Sequence, residues 1–246
     1  MAAGAPTIVA TSIGFFSRER NPWDWRPGPI FDLTFDLAGR PDRPRLCFLG
    51  TATGDNPLYI SAVYGAFAGS DVRVSHLTLF AMPNVEDVRS YLLAQDVIWV
   101  GGGSVANLLA VWRTHGLDEV LREAWQSGVV LGGVSAGSLC WHVGGTTDSF
   151  GPELRPVTNG LAFLPTSNGV HYDSEEQRRP LYHQLVADGT LPSGYATDDG
   201  VGLVYVEETL AEVVADRPNV AAYHVYRDRD GRAKEEAITP RLLPGD

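Results

Sequence analysis

The five residues Gly133-Val134-Ser135-Ala136-Gly137 place a serine between two glycines at the end of the apolar run Val129–Gly132. Small flanking residues let a chain turn sharply from a strand into a helix and expose the central hydroxyl, as a nucleophilic serine requires. A serine at its free pKa attacks poorly. It needs a base within hydrogen-bond reach, a third group that orients the base, and N–H donors for the oxyanion that forms.

Six histidines are available as the base. His76 falls within a predicted strand and His115 in a helix-to-helix turn, which suits structural or solvated roles. His142 follows Ser135 closely but on the next helix, where it points away, and His183 lies on a solvated helix face. His171 lies in Asn168-Gly169-Val170-His171-Tyr172, a short apolar segment leaving a loop, where parallel-sheet enzymes carry functional side chains, and it ranks first. His224 competes, because Ser135, then Asp198 or Asp199, then His224 reproduces the chain order of α/β-hydrolases, which would make the protein an esterase of that type.

The orienting acid is one of Asp198, Asp199 and Asp148: the first two end a short strand, the third sits in the loop after the elbow helix. Oxyanion donors are expected from the amides of Gly102 and Gly103, in the run Gly101-Gly102-Gly103, and from the amide of Ala136. The run lacks the spacing of a dinucleotide or Walker loop, and no metal-ligand spacing occurs, so neither a cofactor nor a metal is expected. A silent binding protein that keeps the elbow for folding is the reading from another class.

The elements that must position these groups follow from hydrophobic periodicity. Strands are predicted at Thr7–Ala10, Arg45–Thr51, Val72–Leu79, Val97–Val100 and Val129–Gly132, and helices at Pro57–Ala68, Val85–Ala94, Val105–Arg113 and Leu117–Gln126. This alternation predicts an α/β fold with a mostly parallel central sheet flanked by helices. Downstream, Gly144–Asn168 reads as irregular, Ser174–Asp188 as a helix, and Tyr195–Tyr226 as antiparallel edge strands closed by a turn at Asp230-Gly231. Ser12–Pro44 reads as a long surface excursion without an assignment.

The chain of 246 residues is expected to form a single α/β domain, residues 1–246, with no linker composition dividing it. Its formal charge of −11 argues against nucleic acid or an anionic membrane as partner and favours a small substrate. Two cysteines, Cys47 and Cys140, are too few for a disulfide framework, and no basic leader or apolar stretch of about 18 residues is seen, so a cytoplasmic location is expected. A homodimer is compatible with all of this.

Together, VIWVGGGSVANL at Val97–Leu108 and VVLGGVSAGSL at Val129–Leu139 resemble the peptidase E and cyanophycinase family of serine peptidases, with its GGGN-type loop and G-x-SAG elbow. Ser104 stands where the family commonly has asparagine. The resemblance implies a fold related to class I glutamine amidotransferases and hydrolysis of a peptide bond beside an aspartyl residue through an acyl-enzyme. Ser135 would be the nucleophile and His171 the base. The cyanophycinase-like branch would take its carboxylate from the Asp198-Asp199 pair, the aspartyl dipeptidase branch from the loop of Asp148. The dipeptidases carry an arginine after the histidine that recognises the substrate aspartate. Here Glu175 falls at that place, with Arg178 and Arg179 the nearby cations, so the expectation is a small-peptide hydrolase that cleaves next to an acidic, aspartyl residue but with a specificity shifted from that of the strict dipeptidases.

Overall fold

The computed structural model describes residues 4–18 and 21–245. From the N-terminus it runs through β1 (Thr7–Thr11), β2 (Phe15–Arg18), β3 (Asn21–Pro27), α1 (Ile30–Leu37), β4 (Arg45–Leu49), a 3-10 turn (Thr51–Thr53), α2 (Pro57–Ala66) and β5 (Arg73–Leu77). It continues through α3 (Val88–Leu93), β6 (Val97–Val100), α4 (Val105–Thr114), α5 (Leu117–Gln126), β7 (Val130–Val134), the short α6 (Ala136–Leu139), β8 (Gly144–Thr147), β9 (Arg155–Val157) and β10 (Ser167–Gly169). The last elements are α7 (Arg178–Ala187), β11 (Gly194–Thr197), β12 (Val201–Val206), β13 (Thr209–Ala215), β14 (Ala222–Arg227), β15 (Ala233–Ile238) and β16 (Arg241–Leu242).

Eight strands form the main sheet in the order β16-β13-β12-β1-β7-β6-β4-β5. The run from β1 to β5 is parallel, and the strands inside its edge, β1, β7, β6 and β4, are almost wholly buried because helices cover both faces. One face packs under α4 and α5 through Leu108, Trp112, Leu121 and Trp125, all buried. The other packs under α1 and α2 through Phe31, Phe35 and Val63. Leu117–Gln126 forms as read, because Leu117, Leu121, Ala124 and Trp125 recur at helical spacing on one face. The sheet therefore brings the carboxyl ends of β1, β7 and β6 side by side, the edge at which open α/β sheets bind ligands.

Four expectations change. Ser12–Pro44 is not a surface loop: β2 and β3 form a hairpin, and α1 buries Ile30, Phe31 and Phe35 in the core. The chain signal is masked there by Pro22, Pro27 and Pro29. The C-terminal strands do not all extend one sheet. β12 and β13 add antiparallel to β1, but β11, β14 and β15 join a second, six-stranded sheet, order β15-β14-β11-β10-β8-β9, built in part from the stretch read as irregular. The helix expected at Ser174–Asp188 begins only at Arg178, because the residues before it are used to hold His171: the Tyr172 N–H donates to the Thr197 carbonyl and the Glu175 N–H to the His171 carbonyl. The helix expected at Val85–Ala94 likewise shortens to α3, whose start is set by the Asp87 carboxylate accepting from the Ser90 N–H at 2.9 Å.

Candidate active site

Ser135 stands between β7 and α6 with φ +57° and ψ −112°, a conformation that costs energy for any residue with a side chain. It is held there by three backbone bonds. Its N–H donates to the Thr11 carbonyl at 3.1 Å, and its carbonyl accepts from the N–H groups of Ser138 and Leu139, both at 2.9 Å. The flanking glycines are a steric necessity: a Cβ at Gly133 would lie 2.6 Å from the Val100 and Gly137 carbonyl oxygens. The elbow is thus wedged against the end of β6.

That strand continues into the glycine run. The Gly101 N–H is used by the Leu49 carbonyl at 3.0 Å and the Ser104 N–H by that of Ala52 at 2.9 Å, whereas the intervening Gly102 and Gly103 amides have no acceptor among the described residues. Gly102 passes so near the candidate nucleophile that a Cβ on it would lie 3.3 Å from Ser135 Cβ and 3.9 Å from Oγ. Ala136, the first residue of α6, has an N–H without an intrahelical acceptor. Gly102, Gly103 and the start of α6 thus offer amides with no backbone acceptor among the described residues beside the elbow. Ser104 caps α4 by accepting from the Asn107 N–H at 3.2 Å, the work an asparagine would also do there.

His171 follows β10 with φ +54°, and its Nδ1 lies 2.5 Å from Asp199 Oδ1. The hydrogen bond from His171 holds the Asp199 carboxyl below its usual range, against burial, which raises it. A carboxylate acceptor fixes the proton on Nδ1 and leaves the Nε2 lone pair as the basic site. Asp199 is itself tethered: its N–H donates to Asp173 Oδ1 at 2.8 Å, and the Arg217 guanidinium donates to its carbonyl oxygen.

A residue to which the sequence drew no attention joins the two halves. Ser12, buried just past β1, accepts the His171 N–H on its Oγ at 3.3 Å and hydrogen-bonds Thr197 Oγ1 at 2.9 Å. Its neighbour Thr11 accepts the Ser135 N–H. One dipeptide thus pins both the candidate nucleophile and the candidate base. Nothing in the sequence around Ser12 marks this, since the link exists only because β1 lies beside β7.

The other candidates fall elsewhere. Asp198 turns away from His171; its Oδ2 accepts the Ala221 N–H at 2.9 Å, and burial raises its pKa. Asp148 is exposed in the loop after β8, where its carbonyl accepts the Gly151 N–H. His224 lies on β14 in the second sheet, its ring against Tyr195 and Tyr226. Arg178 is buried and bonded to the Thr146 carbonyl and to Glu175, which makes it a brace for β8. Arg179 pairs with Glu235 and lies over Tyr172 and Tyr223. His183 is not solvated as expected: its Nε2 meets the same Glu235 at 2.9 Å. His142 is wholly buried, bonded to the Ser138 carbonyl at 3.0 Å, and burial lowers its pKa to about 4.

Ser135 opens into a cavity of about 400 Å³ that also takes in Ser12, the three glycines and Val134. Cys47 and Cys140 are buried and unpaired, and burial pushes the Cys47 thiol up to about 12, which removes it as a nucleophile. Among the described residues no cluster suited to a metal ion occurs, and no helix is long and apolar enough to cross a membrane.

Comparison with known proteins agrees with this architecture. The chain is 47% identical over 184 residues to the uncharacterized peptidase YgaJ of Bacillus subtilis (strain 168), which covers 75% of this chain and 79% of that protein. Among solved structures, a peptidase E-like protein from Listeria monocytogenes EGD-e superposes with a TM-score of 0.59 at 17% identity, over 87% of this chain and 100% of that one. A peptidase from an acI-B1 Actinobacterium superposes with a TM-score of 0.65 at 15% identity, over 97% and 96%. Those two likenesses are of fold. The sequence profile of Peptidase family S51 matches residues 29–213, a span that includes the glycine run, the elbow and the His171–Asp199 pair, and the chain belongs to that peptidase family.

Proposed function

We propose that this peptidase is of the serine type and cleaves small peptides through an acyl-enzyme on Ser135. The observation that carries the reading is the His171–Asp199 pair, hung from the same Thr11-Ser12 dipeptide as the Ser135 backbone. His171 Nε2 takes the Ser135 hydroxyl proton as Oγ adds to the scissile carbonyl carbon. The oxyanion is met by the Gly102, Gly103 and Ala136 amides. Collapse of the tetrahedral species breaks the C–N bond, and His171 passes its proton to the departing amine. Water then attacks the ester, giving its proton to His171, and Ser135 leaves with a proton restored. Asp199 holds the imidazole in the required tautomer and stabilises the imidazolium.

Among the described residues, an acidic side chain beside the scissile bond would find no cation in the cavity at Ser135, and Arg178 and Arg179 are bonded elsewhere. Burying a carboxylate there unpaired costs several kcal/mol, so the acidic preference expected from the resemblance is set aside. The test is active-site labelling: a fluorophosphonate should modify the protein at Ser135, peptide hydrolysis should fall with the same time course, and Ser135→Ala should lose both. Hydrolysis that persists in Ser135→Ala refutes the reading.

A further inference from the structure

The cavity at Ser135 is walled by rings. Phe15 and Trp25 come from the β2–β3 hairpin, Tyr59 from α2, and Phe48 and Trp99 from the ends of β4 and β6. Among the described residues, no Asp, Glu, Lys, Arg or His lines it. Phe15 and Trp25 stack at 5.1 Å, Trp25 and Tyr59 meet edge to face at 5.4 Å, and the Trp25 indole is fixed by donating to the Pro22 carbonyl at 2.7 Å. Such walls are preformed, so a side chain that enters them loses little freedom to order the site.

Which side of the scissile bond this cavity serves follows from the chemistry. His171 must hand a proton to the leaving amine, so the amine side of the substrate lies toward His171. The cavity contains Ser135 and the glycine amides but not His171, which places it on the acyl side. We infer that this cavity is the specificity pocket for the residue that donates the scissile carbonyl, and that it takes an aromatic or large aliphatic side chain rather than an acidic one. The inference rests on the serine-peptidase reading for its chemistry, but the pocket's preference is testable without turnover. Its volume is in the range of small-ligand sites, and rings in offset or edge-on contact with Trp25 and Tyr59 gain over an alkyl chain of equal area.

The experiment has two arms. In the first, the wild-type protein is given peptides differing only in the acyl-side residue, Phe, Leu, Ala or Asp. The expected kcat/KM for Phe exceeds that for Asp by about 100-fold, and Trp25→Ala narrows the Phe-to-Ala ratio by about tenfold. In the second, Ser135→Ala is titrated with N-acetyl-phenylalanine amide and N-acetyl-aspartate amide while tryptophan fluorescence is read, since Trp25 and Trp99 form the wall. Phe-selective quenching, lost in Trp25→Ala, is expected. Cleavage that depends on Ser135 but prefers Asp overturns the pocket assignment and leaves the serine peptidase standing. Phe-selective binding with no cleavage of any peptide keeps the cavity's preference for an aromatic side chain and overturns the serine-peptidase reading with the acyl-side role drawn from it. Equal binding of both amides overturns the pocket.

Discussion

Replacing Asp199 by asparagine keeps the shape of the side chain and removes the charge that faces His171. Its consequence can be worked from the geometry. In the attack step the imidazole becomes an imidazolium whose charge sits about 4 Å from that of the carboxylate; at an effective dielectric of about 20 this pair is worth about 4 kcal/mol. The two side chains are 23% and 32% exposed, so solvent screens part of this, and about 3 kcal/mol is a fair expectation. A loss of that size is a fall of about 100-fold in kcat/KM. The amide can also offer its NH₂ to Nδ1 and so favour the wrong tautomer, which pushes the loss further in the same direction. The assay is kcat/KM on the best peptide substrate, with thermal melting run beside it to show that the fold survives. Asp198→Asn and Asp148→Asn serve as comparisons: neither carboxylate contacts His171, so both should stay within about threefold of wild type once corrected for folded protein. An Asp199→Asn enzyme within threefold of wild type, or an Asp148→Asn loss larger than that of Asp199→Asn, would refute the assignment of the acid.

Other perturbations test other parts of the site. Ser12→Ala removes the hydroxyl that accepts the His171 N–H; kcat should fall about tenfold with KM nearly unchanged, as fits a positioning residue, and about 1–2 kcal/mol of stability should be lost in urea denaturation. Gly102→Ala puts a methyl 3.3 Å from Ser135 Cβ, over the hydroxyl; kcat should drop at least about tenfold while the melting temperature moves by only a few degrees. His142 carries a pH signature whose sign follows from its burial. Its pKa is lowered from 6.5 to about 4, so between those values the unfolded chain takes up a proton that the folded protein refuses. Its contribution is therefore fully present above about pH 6.5 and lost as pH falls toward 4, by about 2 kcal/mol at pH 5. Urea midpoints of wild type and His142→Gln from pH 8 to 5 should converge as the pH drops; parallel curves would show that His142 is not the group responsible.

The elbow was legible in the sequence because its requirement is local: Gly133 and Gly137 are small since the backbone of β6 passes within van der Waals contact, and that constraint is written into five consecutive residues. The parallel strands and their helices were legible for the same reason, because periods of two and 3.6 are short-range patterns. What the sequence left open was long-range. His171 and His224 both lie downstream of Ser135, one just past a short strand and one on a strand, and only the sheets separate them: β10 ends beside the Thr11-Ser12 segment, whereas β14 carries His224 away among tyrosines. The three aspartates were equally undecidable, since Asp198 and Asp199 are adjacent in sequence yet point to different partners, one to Ala221 and the other to His171. The hairpin of Ser12–Pro44 gave no periodic signal, yet it builds the aromatic wall of the cavity, because its rings acquire a role only when the strands set them over β4, β6 and α2. Sequence alone determined the parallel α/β frame and the sharp turn that presents Ser135. Tertiary structure decided that His171 pairs with Asp199 and which rings wall the cavity at Ser135, because these depend on which strand ends become neighbours and no local pattern encodes that adjacency.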